Sequence, residues 1–172
     1  MSDAPTNDWR SLSRSAKHIG NFGEGLVIYS LIRAGYEVAT VDHVGADLIA
    51  ERAGKRFAIS VKSRLYRAGS VESRGVLIAP GDIEKLESFA ARFQLKPLFA
   101  HVCSIVDDKV IHLVMFPIEI VSEVMSNVQS GFRKDIRHLI DDPRIHYCFW
   151  SEGALAEHDF IVSSDPPAQS KG

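Results

Sequence analysis

The chain has 172 residues, 45% hydrophobic and 24% charged, the balance of an ordinary folded domain rather than a fibrous or disordered one. At this length one domain can bury roughly 70% of the surface that its unfolded chain exposes, so a single core is expected. A formal net charge of −2 and a pI near 6.4 exclude a protein that coats nucleic acid indiscriminately, because such binding needs many phosphate-neutralising cations. Two cysteines make no disulfide framework, nothing reads as a signal peptide, and no apolar run approaches the roughly 20 residues of a membrane span. A cytoplasmic protein with no membrane partner is therefore expected.

Residues 1–9 and 163–172 are polar or Pro-rich and are expected to be disordered, leaving 10–162 as one domain. From His18 to Ala34, Ile19, Phe22, Leu26, Tyr29 and Ile32 recur at helical spacing and predict a largely buried helix stopped by Gly35. Tyr36 to Val41 predicts a short strand. Gly45 to Glu51 and Lys55 to Lys62 predict two strands joined at Ala53-Gly54 as a β-hairpin. A short strand at Val76 to Ala79 leads through Pro80-Gly81-Asp82 into a helix over Ile83 to Phe93, with Asp82 as its N-cap. Strands at Leu98 to Val106 and Val110 to Phe116 flank a turn at Asp107-Asp108, after which Pro117 opens a helix to about Val128. A short helix over Phe132 to Ile140 and a strand over Ile145 to Trp150 follow. The order predicts a mixed α/β sandwich.

Counting outward from Ala53-Gly54 places Asp47 opposite Ser60 and Gly45 opposite Lys62, and opposite residues share a sheet face. One face carries Ala46, Leu48, Ala50, Phe57, Ile59 and Val61 and is expected to enter the core. The other carries Gly45, Asp47, Ile49, Ala58, Ser60 and Lys62, with Lys62 diagonal to Asp47, so that the two charges can pair or serve one ligand. Glu24 has Gly20, Asn21, Val27 and Ile28 as its helical neighbours, a mostly apolar surface on which an acid needs a partner. A cation shared with Asp47 would be one, since carboxylate oxygens suit Mg²⁺ or Mn²⁺.

Basic residues gather nearby. Arg52, Lys55, Arg56, Lys62, Arg64, Arg67 and Arg74 face one acid, Glu72, and Arg10, Arg14 and Lys17 face none between Trp9 and Gly23. A positive surface on a mildly acidic protein follows, with a solvated basic loop as the alternative.

These residues resemble the PD-(D/E)XK nuclease superfamily, most nearly its Holliday junction resolvase-like branch, over about Lys17 to Phe116. Glu24 matches the family's helical acid, Gly45-Ala46-Asp47 its Gly-x-Asp strand and Lys62 its closing lysine; Ile83 to Val102 looks like its next helix and strand. The resemblance implies a restriction endonuclease-like αβββαβ core with a mixed central sheet flanked by helices. It implies metal-dependent hydrolysis of DNA phosphodiesters, in recombination or repair, with Asp47 and Glu24 holding Mg²⁺ or Mn²⁺ and Lys62 orienting or deprotonating the attacking water. Lys17, Arg64 and Arg67 would grip the DNA backbone, and relatives of this kind imply a homodimer.

The chain departs from the pattern at one position: Ser60 stands where the family carries a second acid. A hydroxyl is a poorer ligand for a hard cation, so the alternative is a catalytically impaired pseudo-nuclease that binds DNA without cleaving it. Glu24, a main-chain carbonyl between Ile59 and Val61, or Glu72 could replace the missing acid, and Ser60 could donate a hydrogen bond to phosphate or water. Branched, linear and RNA substrates stay open.

Plainer alternatives accompany each motif. Asp47 and Lys62 could form only a cross-strand ion pair of roughly 0.2 to 1 kcal/mol. Gly20-Asn21-Phe22-Gly23-Glu24-Gly25 lacks the preceding strand and the Lys-Ser/Thr of a phosphate loop and fits close helix packing better. His101-x-Cys103 and His146-x-Cys148 could meet in a zinc site, against the plainer expectation of buried Cys and satisfied His.

Overall fold

A computed structural model describes residues 15–66, 75–105 and 110–151. The expected tails, the Asp107-Asp108 turn, Arg67 and Glu72 lie outside them. Helix α1 spans Ser15–Arg33, followed by strands β1 (Glu37–His43), β2 (Ala46–Arg52), β3 (Lys55–Tyr66) and β4 (Gly75–Ile78). Helix α2 (Pro80–Phe93) precedes β5 (Lys96–Ile105) and β6 (Val110–Pro117). After a 3-10 turn at Ile118–Ile120 come α3 (Val121–Val124), β7 (Ser126–Val128), β8 (Gly131–Asp135), α4 (Ile136–Leu139) and β9 (His146–Ser151). Among the described residues no helix is long and apolar enough to cross a membrane.

Six strands form a mixed sheet in the order β1-β2-β3-β5-β6-β9. Only β3 and β5 are parallel, and parallel neighbours need a crossover, which α2 supplies. From Arg52 opposite Lys55 to Leu48 opposite Ile59 the hairpin has the predicted register, because Ala53 and Gly54 both take positive φ as a two-residue turn demands, but the ladder stops before the expected pairs Asp47–Ser60 and Gly45–Lys62. Gly35 ends α1 as expected: at φ +81 it donates to Ile32 O while Tyr36 donates to Leu31 O, closing the helix C-terminus.

Helix α1 covers one face of the sheet, where Val27 and Leu31 meet Leu48, Ala50, Phe57, Ile59, Leu98, Ala100 and Val102. Helix α2 covers the opposite face, where Leu86, Phe89 and Ala90 meet Ala58, Phe99, Cys103, Val114 and Phe116. A second sheet, β4-β8-β7, closes over that side, with Val76, Ile78, Ile136 and Leu139 in the same core.

Several expectations are corrected. Helix α1 buries Gly23, Val27, Ser30 and Leu31 rather than the predicted stripe, and Phe22, Tyr29 and Ile32 are exposed. Gly23 decides this: a Cβ there would collide with Ser63 Oγ, so the bare glycine lets α1 lie directly on β3. Helix α2 starts at Pro80 with Ala79 as N-cap, so Asp82 sits inside the first turn and caps nothing. Pro117 opens only a 3-10 turn and one short helix, and the first half of the helix expected over Phe132 to Ile140 is strand β8, because Phe132 to Asp135 pair with β4, while Ile136–Leu139 are helical as α4. Ala46 packs on the α2 side with Ala58 rather than under α1 with Leu48.

Candidate active site

The hairpin ladder ends at the Leu48–Ile59 pair, while β3 runs on to Tyr66 against β5. Beyond that end a β3 amide needs a partner, and Asp47 provides it: Val61 N–H donates to Asp47 Oδ2 at 2.6 Å. The carboxylate is thereby held at the open end of the hairpin. Glu24, on α1 beside the buried Gly23 and Val27, has its pKa raised, first by burial and then by the negative charge of Asp47. Two carboxylates from different elements thus feel one another across the end of β2.

The ammonium of Lys62 pairs with Asp82 rather than Asp47, with Nζ 3.3 Å from Asp82 Oδ1. Gly45 explains how α2 comes so near. At φ +113 it takes a backbone conformation that favours glycine, and a Cβ there would collide with the Lys85 carbonyl oxygen and stand 3.1 Å from Phe89 Cβ. The glycine two residues before Asp47 therefore seats α2 on the start of β2. Ser60 lies two residues before Lys62 on the same strand face and is only 7% exposed. Sequence reasoning missed Asp82, because its place before a helix reads as a cap and its contact with Lys62 spans the crossover.

His101 was missed as well. It is paired in register with Lys62, faces the α2 side beside it, and is 2% exposed with no hydrogen-bond partner at either ring nitrogen. Burial, with the charge of Arg64 in second place, lowers its pKa to about 3, so the ring is neutral. The zinc alternative fails in this topology: β6 separates β5 from β9, Cys103 and Cys148 belong to cores on opposite sides of the sheet, and His146, lowered by burial to about 4, pairs across to Met115.

Lys17 and Arg64 are both exposed, on α1 and β3. Arg64 and His18, next to Lys17, line one cleft of about 270 Å³ with Phe22, Ser63 and Val102. In kind, the oxygen donors Glu24, Asp47 and Asp82 suit a hard divalent cation. Among the described residues, as the side chains stand, no three His, Cys, Asp or Glu groups are gathered to hold a metal.

No family model matches the sequence. No curated protein matches it either. Among solved structures the chain is similar to Hjc, a Holliday junction resolvase from the archaeal hyperthermophile Archaeoglobus fulgidus, at 18% identity and a TM-score of 0.50, over 69% of this chain and 85% of that one. A bacterial homing endonuclease, I-Ssp6803I, is similar over 69% of this chain and 72% of that one, at 14% identity and a TM-score of 0.41. At such identity the likeness to Hjc is one of backbone architecture. The chain has the restriction endonuclease-like α/β fold, with a mixed central sheet between helices.

Proposed function

We propose that this protein is a divalent-metal-dependent endonuclease that hydrolyses DNA phosphodiester bonds. The observation that carries the reading is the end of the hairpin. There Asp47 is anchored on Val61 N–H, Glu24 is close enough to feel its charge, and Lys62 is the next residue along β3.

Asp47 and Glu24 are the carboxylates that would hold Mg²⁺ or Mn²⁺. The bound ion would lower the pKa of a water and offset charge building on the phosphate oxygens. Lys62, half-exposed and tethered only by a surface ion pair, can turn its ammonium toward the attacked phosphate and orient or deprotonate the water. Ser60 can donate its hydroxyl to a phosphate oxygen. Lys17 and Arg64, with Arg67 beyond the described residues, position the DNA backbone and carry no sequence information. Cutting two strands symmetrically needs two such sites, so the reading includes a homodimer, checked by sedimentation.

A second reading, a pseudo-nuclease that binds DNA without cutting it, is favoured by Ser60, a neutral group where an acid would stand. One experiment separates the two. Linear, branched and single-stranded DNA are incubated with the protein in Mg²⁺ and in Mn²⁺, and products are resolved on gels. Cleavage is expected, with Asp47→Ala and Lys62→Ala each reducing it by ~10²-fold or more. Tight binding to these DNAs with no product in either metal would overturn the enzyme in favour of the binding module.

A further inference from the structure

We infer that the cleft between the start of helix α1 and the adjoining parts of β3, β5 and β6 takes one unpaired nucleobase of the DNA, with Phe22 as its stacking surface and Arg64 on the adjoining phosphate. The inference rests on the DNA-acting reading above and adds to it a preference for strands that carry an unpaired base.

The cleft follows from how α1 lies on the sheet. Gly23 seats the helix on Ser63, and the residues before it, His18, Ile19 and Phe22, form one wall. The floor is a three-strand patch. Ser63 is paired with Val102, and Leu65 with Ser104, which is paired in turn with Ile111. The cleft has a volume of about 270 Å³. Sites for drug-sized molecules run to roughly 300–1,000 Å³, so this one suits a ligand the size of a single base.

Its lining fits the two halves of a nucleotide. Ile19, Leu65, Val102 and Ile111 are apolar, and Phe22 adds an aromatic ring that is 49% exposed. A base stacks on such a ring whatever its identity, because every base has a π-face. Ser63 and Ser104 set two hydroxyls among these apolar groups. The Ser63 oxygen is buried without a hydrogen-bond partner, and the edge of a base would supply one once the hydroxyl turns into the cleft. Arg64 and His18 are exposed at the cleft, Lys17 is next to His18 on α1, and among the described residues no acid lines it. Apolar walls beside exposed cationic groups complement a base that carries a phosphate rather than a neutral apolar peptide.

The cleft also adjoins the candidate active site. Gly23 and Ser63 meet where helix touches strand; Glu24 follows Gly23 on α1, and Lys62 precedes Ser63 on β3. A nucleotide seated in the cleft is therefore a neighbour of the phosphate that those residues would attend. Extruding a base costs least where it is already unpaired, so bulges, mismatches and single-stranded segments are favoured over intact duplex.

The test is fluorescence anisotropy of labelled DNA with the full-length protein in EDTA at low salt, which reads binding without metal or cleavage. Three probes share one sequence: an intact duplex, the duplex with one unpaired adenine, and the same bulge with that base removed. Folding of each variant is checked by circular dichroism melting. Wild type is expected to bind the unpaired adenine most tightly. Phe22→Ala should weaken that probe alone, by roughly five- to a hundredfold, as the loss of one stacked base does, and Phe22→Trp should keep it. Arg64→Ala should weaken all three alike. Equal wild-type affinity for the three probes, or a Phe22→Ala loss shared by all of them, would overturn the base pocket while leaving action on DNA intact. So would a Phe22→Ala protein that binds like wild type: a lower melting temperature would then give the cleft to another part of this chain, and dissociation of a dimer in sedimentation would give it to a second copy. No binding of any probe by wild type would instead overturn the DNA reading itself.

Discussion

The two faces of the six-stranded sheet are built differently. Under α1 the centre of the surface is apolar, with Leu48, Ala50, Ile59, Ala100, Leu113 and Met115 all fully buried, and it ends at Ser63, whose buried Oγ lies against Gly23. Under α2 the apolar run of Ala58, Phe99 and Cys103 is interrupted by Ser60, Lys62 and His101. The buried apolar positions under α1 form one core. Under α2 the first helical turn meets polar groups instead, with Asp82 paired to Lys62. Glu24, on α1, feels the charge of Asp47 beyond the last pair of the β2–β3 ladder.

That contrast is broken or sharpened by substitutions on each face. The largest expected effect on stability is Leu48→Ala in the α1 face, a loss of ~2–5 kcal/mol from a fully buried side chain, read by urea unfolding. An equal loss from Lys62→Ala would erase the distinction. Gly45→Ala should cost about 2–4 kcal/mol, the sum of a positive-φ strain and a collision with the α2 backbone, read by urea unfolding.

His101→Leu should do the reverse and stabilise the fold by ~1–3 kcal/mol, because it removes a buried group whose ring nitrogens have no partner, at nearly constant volume. The same ring sets a pH dependence. Its folded pKa is about 3 against an ordinary value of 6.5, so between those values the unfolded chain binds the additional proton. Stability is full above pH 6.5 and is lost as pH falls, at up to about 1.4 kcal/mol per pH unit. His146, lowered to about 4, adds in the same direction. Unfolding curves of His101→Leu at pH 7 and pH 4.5 should show a shallower acid loss than wild type; an unchanged slope would remove His101 as its source. The smallest expected effect is that of Lys62→Ala on stability, within ~1 kcal/mol because its ion pair is at the surface, although DNA cleavage should fall as stated above.

Within the hairpin the sequence was a sufficient guide. Ala53-Gly54 admits a tight turn, and the turn sets the register from Arg52–Lys55 to Leu48–Ile59; the expected pairs Asp47–Ser60 and Gly45–Lys62 lie beyond the end of that ladder. The stop at Gly35 and the run from α1 to β6 were legible for the same local reason. The apolar stripe of α1 was misread because five large side chains outweigh one glycine in any periodicity, whereas contact with β3 depends on the absent Cβ of Gly23. The region after Pro117 was misread because Phe132 to Asp135 become strand only by pairing with β4, distant in sequence.

The sequence by itself determined which chemical groups are present, the hairpin turn and the register of β2 on β3 as far as Leu48–Ile59. Only the tertiary structure decided that Lys62 faces Asp82, that Asp47 closes the ladder on Val61, and that His101 lies unpartnered beside them. Each of those contacts joins elements separated by a turn, a crossover or a sheet neighbour, and such distances are set by how closely α2 and the strands pack, which a glycine's missing atom governs and no local pattern records.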